Sequence, residues 1–147
     1  MADKLNAVVV GVGALGRHHA RVYAQHEKVR LVAVIDIDEQ ALHEQSTRWN
    51  CLGLASLEDL REPADLASVV VPTVSHAEVA LRLIERGIPV LVEKPIALTV
   101  EEGQRLVEAA VRCNVPIQVG HIERFNPAVI ELGRHLQTPL FIESHRL

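Results

Sequence analysis

Apolar residues in this chain fall in short unbroken runs, with segments of helical period between them. Ala7-Val8-Val9-Val10, Leu31-Val32-Ala33-Val34-Ile35, Ala67-Ser68-Val69-Val70-Val71, Val90-Leu91-Val92 and Ile117-Gln118-Val119 read as strands, and a weaker one lies near Leu52 to Ala55. Strands that do not alternate apolar with polar are those buried on both faces. Helices are expected over 14–26, 39–50, 76–86, 100–114 and 128–136. Ser75-His76-Ala77-Glu78 and Thr99-Val100-Glu101-Glu102 both have the form of a capping box, a hydroxyl at the N-cap and Glu three residues on. Gly87 stands where a left-handed C-terminal cap belongs, with Pro89 as a stop. Strand–helix alternation of this kind predicts an α/β, doubly wound parallel sheet covered on both faces.

The last run, Leu140 to Leu147, reads as a seventh strand. Alone it would leave a partly apolar edge, which proteins avoid. The expectation is a domain over 1–125, with 126–147 supplying a connecting helix and the first strand of a second α+β domain before which the chain is truncated. The alternative is a naturally short protein that pairs this strand with another subunit.

Composition narrows the class. At 147 residues the chain is one domain's worth, and only 3% of it is aromatic, so the core must be Val, Ile, Leu and Ala. A net charge of −4 argues against a nucleic-acid groove. The apolar runs fall well short of the ~20 residues a membrane helix needs. Met1-Ala-Asp-Lys leads straight into a strand, so no signal peptide is expected and the location is read as cytoplasmic. Two cysteines, Cys51 and Cys113, make neither a disulfide framework nor a zinc site, and eight histidines form no metal pattern, so no metal is expected. His18 and His19 diverge by about a quarter turn on a helix; they are read as helix surface or as contacts near an anionic ligand. Trp49 is read as packing.

Gly11-Val12-Gly13-Ala14-Leu15-Gly16 follows a strand and opens a helix, the G-x-G-x-x-G spacing of dinucleotide-binding Rossmann folds. The first glycine permits the turn, the second lets backbone approach a pyrophosphate, and the third allows the helix to pack on the strand. Backbone N–H groups and the helix dipole then meet the phosphates. Asp36 closes the second strand, 20 residues after Gly16, where a carboxylate accepts from the adenosine ribose hydroxyls and repels a 2′-phosphate. Ile37 and Asp38 follow with no arginine, so NAD is favoured over NADP. The alternative is a tight strand–helix corner without a ligand.

Ligands of doubly wound sheets bind at the carboxyl edge of the strands. There this chain places Pro72-Thr73-Val74-Ser75-His76, Glu93-Lys94-Pro95 and Gly120-His121-Ile122-Glu123-Arg124-Phe125-Asn126-Pro127. Lys94 beside a nicotinamide could hold a substrate hydroxyl and balance alkoxide-like charge as hydride leaves. A surface lysine, paired with Glu93, is the other reading. His121 could enter the cleft or bond its own loop.

The glycine loop, Asp36, Pro72-x-x-x-His76, Glu93-Lys94-Pro95 and Gly120-His121-x-x-Arg124-Phe125-Asn126-Pro127 together resemble the Gfo/Idh/MocA oxidoreductases, over nearly the whole chain and only in their N-terminal half. The last stretch resembles in particular the branch that oxidises the 3-hydroxyl of UDP-N-acetylglucosamine-type sugars. The resemblance implies that Lys94 touches the nicotinamide ribose and the reacting hydroxyl, that Pro72, Thr73, His76 and Glu93 line the cofactor, and that His121, Arg124 and Asn126 lie on the substrate side. It also implies a catalytic base and most substrate contacts in a second domain, which brings the oligomer interface of a homo-oligomer.

The expected function is therefore NAD-dependent oxidation of a secondary hydroxyl on a small molecule, a sugar or nucleotide sugar, with this chain as the cofactor-binding part and inactive by itself. Neither nucleic acid nor membrane is expected as a partner. The competing readings are a non-catalytic NAD(H)-binding regulatory or structural module and an S-adenosylmethionine-dependent methyltransferase.

Overall fold

The computed structural model of the protein describes residues 4–136, 138, 140, 141 and 143. In chain order the elements are β1 (Leu5–Val10), α1 (Gly16–Gln25), β2 (Val29–Ile35), α2 (Glu39–Trp49), β3 (Leu52–Leu54), β4 (Leu66–Val69), α3 (His76–Glu85), β5 (Val90–Val92), α4 (Val100–Cys113), β6 (Ile117–Val119) and α5 (Pro127–His135). Single 3₁₀ turns cover Leu57–Asp59, Thr73–Ser75 and Ile122–Phe125. The six strands are all parallel, in the order β3-β2-β1-β4-β5-β6. The order reverses between β1 and β4, the position at which such sheets open a crevice for ligands. Asn6 at the start of β1 donates its backbone N–H to Asp65 Oδ2 at 2.7 Å, tying the two central strands together at their far end.

Strand pleating sorts the side chains onto two faces. Val8, Val10, Ala67, Val69 and Val92 pack with Ala80, Leu83, Ile84, Leu106 and Ala110 of α3 and α4. Val9, Leu31 and Val34 pack on the other face with Ala20, Tyr23 and Leu42 of α1 and α2. Leu83, Ile84 and Leu106 are fully buried, so each truncation to alanine would cost about 2–5 kcal/mol. Ser68 alternates with Ala67 and Val69 and is the polar residue that β4 buries.

The helix starts differ from expectation at α1 and α3. Thr99 makes the full capping box, accepting from Glu102 N–H while the Glu102 carboxylate returns to the Thr99 N–H. Ser75 does not: the 3₁₀ turn Thr73–Ser75 leads directly into α3, Ser75 has helical rather than extended backbone, and its hydroxyl caps nothing. Gly87 has the left-handed φ of +77°. Asp38 caps α2 through Gln40 and Ala41 N–H groups, and Asn50 and Asn114 close α2 and α4 in left-handed conformation. Helix α1 begins at Gly16 rather than Ala14, because the glycine loop occupies the preceding residues. Of the seventh strand expected over 140–147, residues 142 and 144–147 lie outside the described residues, and Leu140, Phe141 and Glu143 are not in a strand.

Candidate cofactor site

The glycine loop leaves β1 at Gly11, whose φ is +85° and whose Cβ, if present, would stand 2.6 Å from the carbonyl carbon of Val70. A Cβ on Gly16 would lie 1.8 Å from the Gly11 oxygen. These two glycines are required by the protein's own packing. Gly13 is different: nothing lies within 4 Å of where its Cβ would be. Its bare backbone faces the cleft, which fits the close approach of a ligand and no internal need.

Asp36 at the end of β2 binds this loop directly. Its Oδ2 accepts the Val12 N–H at 2.6 Å and its Oδ1 the Asp38 N–H at 3.0 Å. A carboxylate has about four acceptor sites, so two remain for a ligand's hydroxyls.

Gly11, Gly13, Leu15, Asp36, Pro72, Thr73, His76, Glu93 and Lys94 line one cleft of about 720 Å³. Ala14 and Gly16 belong to the same turn but lie outside the lining, Gly16 being buried beneath it. Asp38, Ser56, Glu58 and Arg82 complete the far wall, and nothing in their spacing along the chain places them there. The Arg82 guanidinium is held by Glu58 at 2.8 Å and Glu78 at 3.5 Å, and the same part of the cleft carries the carboxylates of Asp36 and Asp38.

The rim residues divide by what their side chains already do. His76 is buried, its Nδ1 2.8 Å from the Pro95 carbonyl and its Nε2 2.8 Å from the Val71 carbonyl. It is a wall of the cleft that ties the exit of β4 to the turn after β5. Glu93 is also buried and faces inward, its Oε1 3.2 Å from His19 Nε2. Lys94 is exposed, and among the described residues its amine has no hydrogen bond or ion pair, with Glu93 or any other group. The Lys94–Pro95 peptide is cis.

His121, Arg124 and Asn126 lie together on and beside the 3₁₀ turn Ile122–Phe125, all exposed and outside the cleft lining. The Asn126 side chain caps α5 through the Ala128 N–H and donates to Glu123 at 2.8 Å. The Trp49 indole donates to Gln45 under the Arg48 guanidinium, as packing requires.

His19 is the residue that reading the chain as a string places wrongly. Its ring is not on the open helix surface but turned in, between Ser68 and Glu93. Gly16, His19, Ala20 and Tyr23 recur at the i, i+3, i+4, i+7 spacing of one helix face. That stripe was the available signal.

A 3-2-1-4-5-6 parallel sheet with a glycine loop and an acid at its switch point defines a dinucleotide-binding Rossmann domain. The family model described as the oxidoreductase family, NAD-binding Rossmann fold, matches residues 5–121, and the chain belongs to this family, the Gfo/Idh/MocA oxidoreductases. It is 34% identical over 140 residues to the UDP-N-acetylglucosamine 3-dehydrogenase of Acidithiobacillus ferrooxidans, an alignment covering 95% of this chain and 44% of that protein. Among solved structures it superposes with a TM-score of 0.87 and 30% identity on the WlbA dehydrogenase of Chromobacterium violaceum in complex with NADH and UDP-GlcNAcA, covering 93% of this chain and 41% of that one. GenD2 from gentamicin A biosynthesis, in complex with NAD, gives a TM-score of 0.87 at 29% identity, covering 92% and 39%. The chain thus spans less than half the length of these relatives. No helix among the described residues is long and apolar enough to cross a membrane.

Proposed function

We propose that the chain is the cofactor-holding part of an NAD-dependent dehydrogenase that oxidises a secondary hydroxyl of a sugar or nucleotide sugar. The observation that carries this reading is the exposed amine of Lys94 at the carboxyl end of β5, without a partner among the described residues, on the same cleft as the glycine loop and Asp36. The relatives' chemistry, oxidation of sugar hydroxyls, supports the substrate class.

Bound NAD would supply the hydride acceptor. The Gly11–Gly16 loop would receive its pyrophosphate on backbone N–H groups at the start of α1. Asp36 would take the ribose hydroxyls, and with Asp38 beside it would repel a 2′-phosphate, favouring NAD over NADP. The Lys94 ammonium would donate to the substrate oxygen and balance the charge that grows there as the C–H bond breaks. Glu93 is held by His19 and His76 lies between two carbonyls, so neither is free to take the hydroxyl proton. The family resemblance assigns that step to a base in a second domain. His121 and Arg124 would face the substrate, while Asn126 would hold their turn. The boundary near residue 125 fits a family match that stops at 121.

Titration with NADH and NADPH, followed by nicotinamide fluorescence, tests the reading. Saturable NADH binding and NADPH binding weaker by about tenfold or more are expected, as for an acidic ribose site. Lys94→Ala should weaken NADH binding by about tenfold, as for a lost hydrogen bond from a charged group, and lower the turnover of a longer protein by about 10²–10⁴-fold. A folded chain that binds S-adenosylmethionine and no dinucleotide would overturn it.

A further inference from the structure

Behind the cleft, on the face covered by α1, four polar side chains form a continuous series. Glu93 is 6% exposed. Its Oε2 accepts the Lys94 backbone N–H at 3.2 Å and its Oε1 lies 3.2 Å from His19 Nε2. His19 Nδ1 is 3.1 Å from Ser68 Oγ, and Ser68 Oγ is 2.8 Å from the Tyr23 hydroxyl. A carboxylate only accepts, so Nε2 carries the proton; a neutral ring then accepts at Nδ1 from the Ser68 hydroxyl, whose oxygen accepts from Tyr23. Burial holds the His19 imidazole below the ordinary histidine range more strongly than Glu93 raises it, in keeping with a neutral ring. Gly120 closes the remaining side, where a Cβ would stand 2.6 Å from Glu93 Oε1.

So α1, β4, β5 and the end of β6 all contribute to placing one carboxylate. An apolar residue at the end of a buried strand would need no such partners. The arrangement therefore fixes a carboxylate that lines the cleft and holds the backbone of Lys94. Helix α1 is also the helix that starts at the glycine loop.

Resting on the cofactor reading above, we propose that His19 is a positioning residue for the nicotinamide end of the site: it fixes the Glu93 carboxylate and, through it, the backbone from which Lys94 projects. The helix that receives the pyrophosphate would then also set the reacting end, 75 residues further along the chain.

Two substitutions separate this role from scaffolding. An asparagine amide reaches the position of Nδ1, so His19→Asn keeps Ser68 and releases Glu93. A glutamine amide reaches the position of Nε2, so His19→Gln keeps Glu93 and releases Ser68. The chain and both variants, matched for folded fraction by circular dichroism, are titrated with NADH and with ADP-ribose, which lacks the nicotinamide. For H19N, NADH affinity should fall about tenfold with ADP-ribose affinity changed by less than about twofold, the size of effect expected when a hydrogen bond to a charged group is lost. For H19Q, NADH affinity should stay within about threefold of the original. Equal losses of both ligands in H19N, no loss in H19N, or an H19Q that behaves as H19N would each overturn the positioning role while leaving the cofactor reading intact. An unsubstituted chain that binds neither NADH nor ADP-ribose would overturn the cofactor reading and this inference with it.

Discussion

Asp36 and Val12 are 24 residues apart, and the carboxylate of one receives the backbone N–H of the other at 2.6 Å. The acid assigned to the cofactor's ribose is therefore also the clamp that holds the glycine loop against β2. Its two duties can be separated. Asp36→Ala removes both, and should weaken NADH binding by about 10–100-fold while lowering stability by about 1.5–3 kcal/mol, the usual worth of a hydrogen bond to a charged group. Asp36→Asn retains an oxygen acceptor for Val12 and should recover most of the stability. Fluorescence titration beside urea unfolding separates the two quantities.

His76 should prove a stability residue before it proves a binding one. Its ring fills a fully buried site with a ring nitrogen facing each of two backbone carbonyls, so His76→Ala leaves a cavity and takes away a buried hydrogen-bond donor. A loss of about 2–4 kcal/mol is expected. An unfolding midpoint in urea equal to that of the unsubstituted chain would contradict the geometry.

The two hydroxyls that look alike as helix caps should behave differently. Thr99→Ala breaks a complete capping box and should lower stability by about 1 kcal/mol. Ser75→Ala removes a side chain that caps nothing and should stay within about 0.5 kcal/mol. Paired denaturation curves check both.

Cys51 should be a slow thiol. Burial pushes its pKa up to about 11, so little thiolate forms at pH 8. Alkylation by iodoacetamide at that position should rise with pH up to about 11, read by peptide mass. A fast reaction of Cys51 near neutral pH would show a more open site than the structure has.

Much of this was written locally. The glycine spacing and Asp36 declared the loop because each of those positions answers to a constraint within a few residues of it. All six strands lie where the apolar runs put them, although β4 stops at Val69 as the chain turns toward His76. The Ser75 cap failed because the turn after Pro72 had already begun to wind, a local geometry that the S-x-x-E pattern does not encode. Ser56, Glu58 and Arg82 reach the cleft only through sheet order, which brings the β3–β4 connection beside α3. His19 was hidden by its neighbour: a His-His pair on a polar helix reads as surface until the inward stripe is traced.

The sheet order also has a consequence in time. Val8 pairs with Ala67, so the central strand of the sheet, made almost first, must wait for its inner neighbour. At about 5–20 residues per second of synthesis, the 59 residues between Asn6 and Asp65 correspond to roughly 3–12 seconds. During that interval β1 can pair with β2 alone, and the glycine loop has a floor on one side only. The wall bearing Lys94 follows later still, so under the cofactor reading proposed above the groups for the adenosine half of a dinucleotide are synthesised before those for the half that reacts.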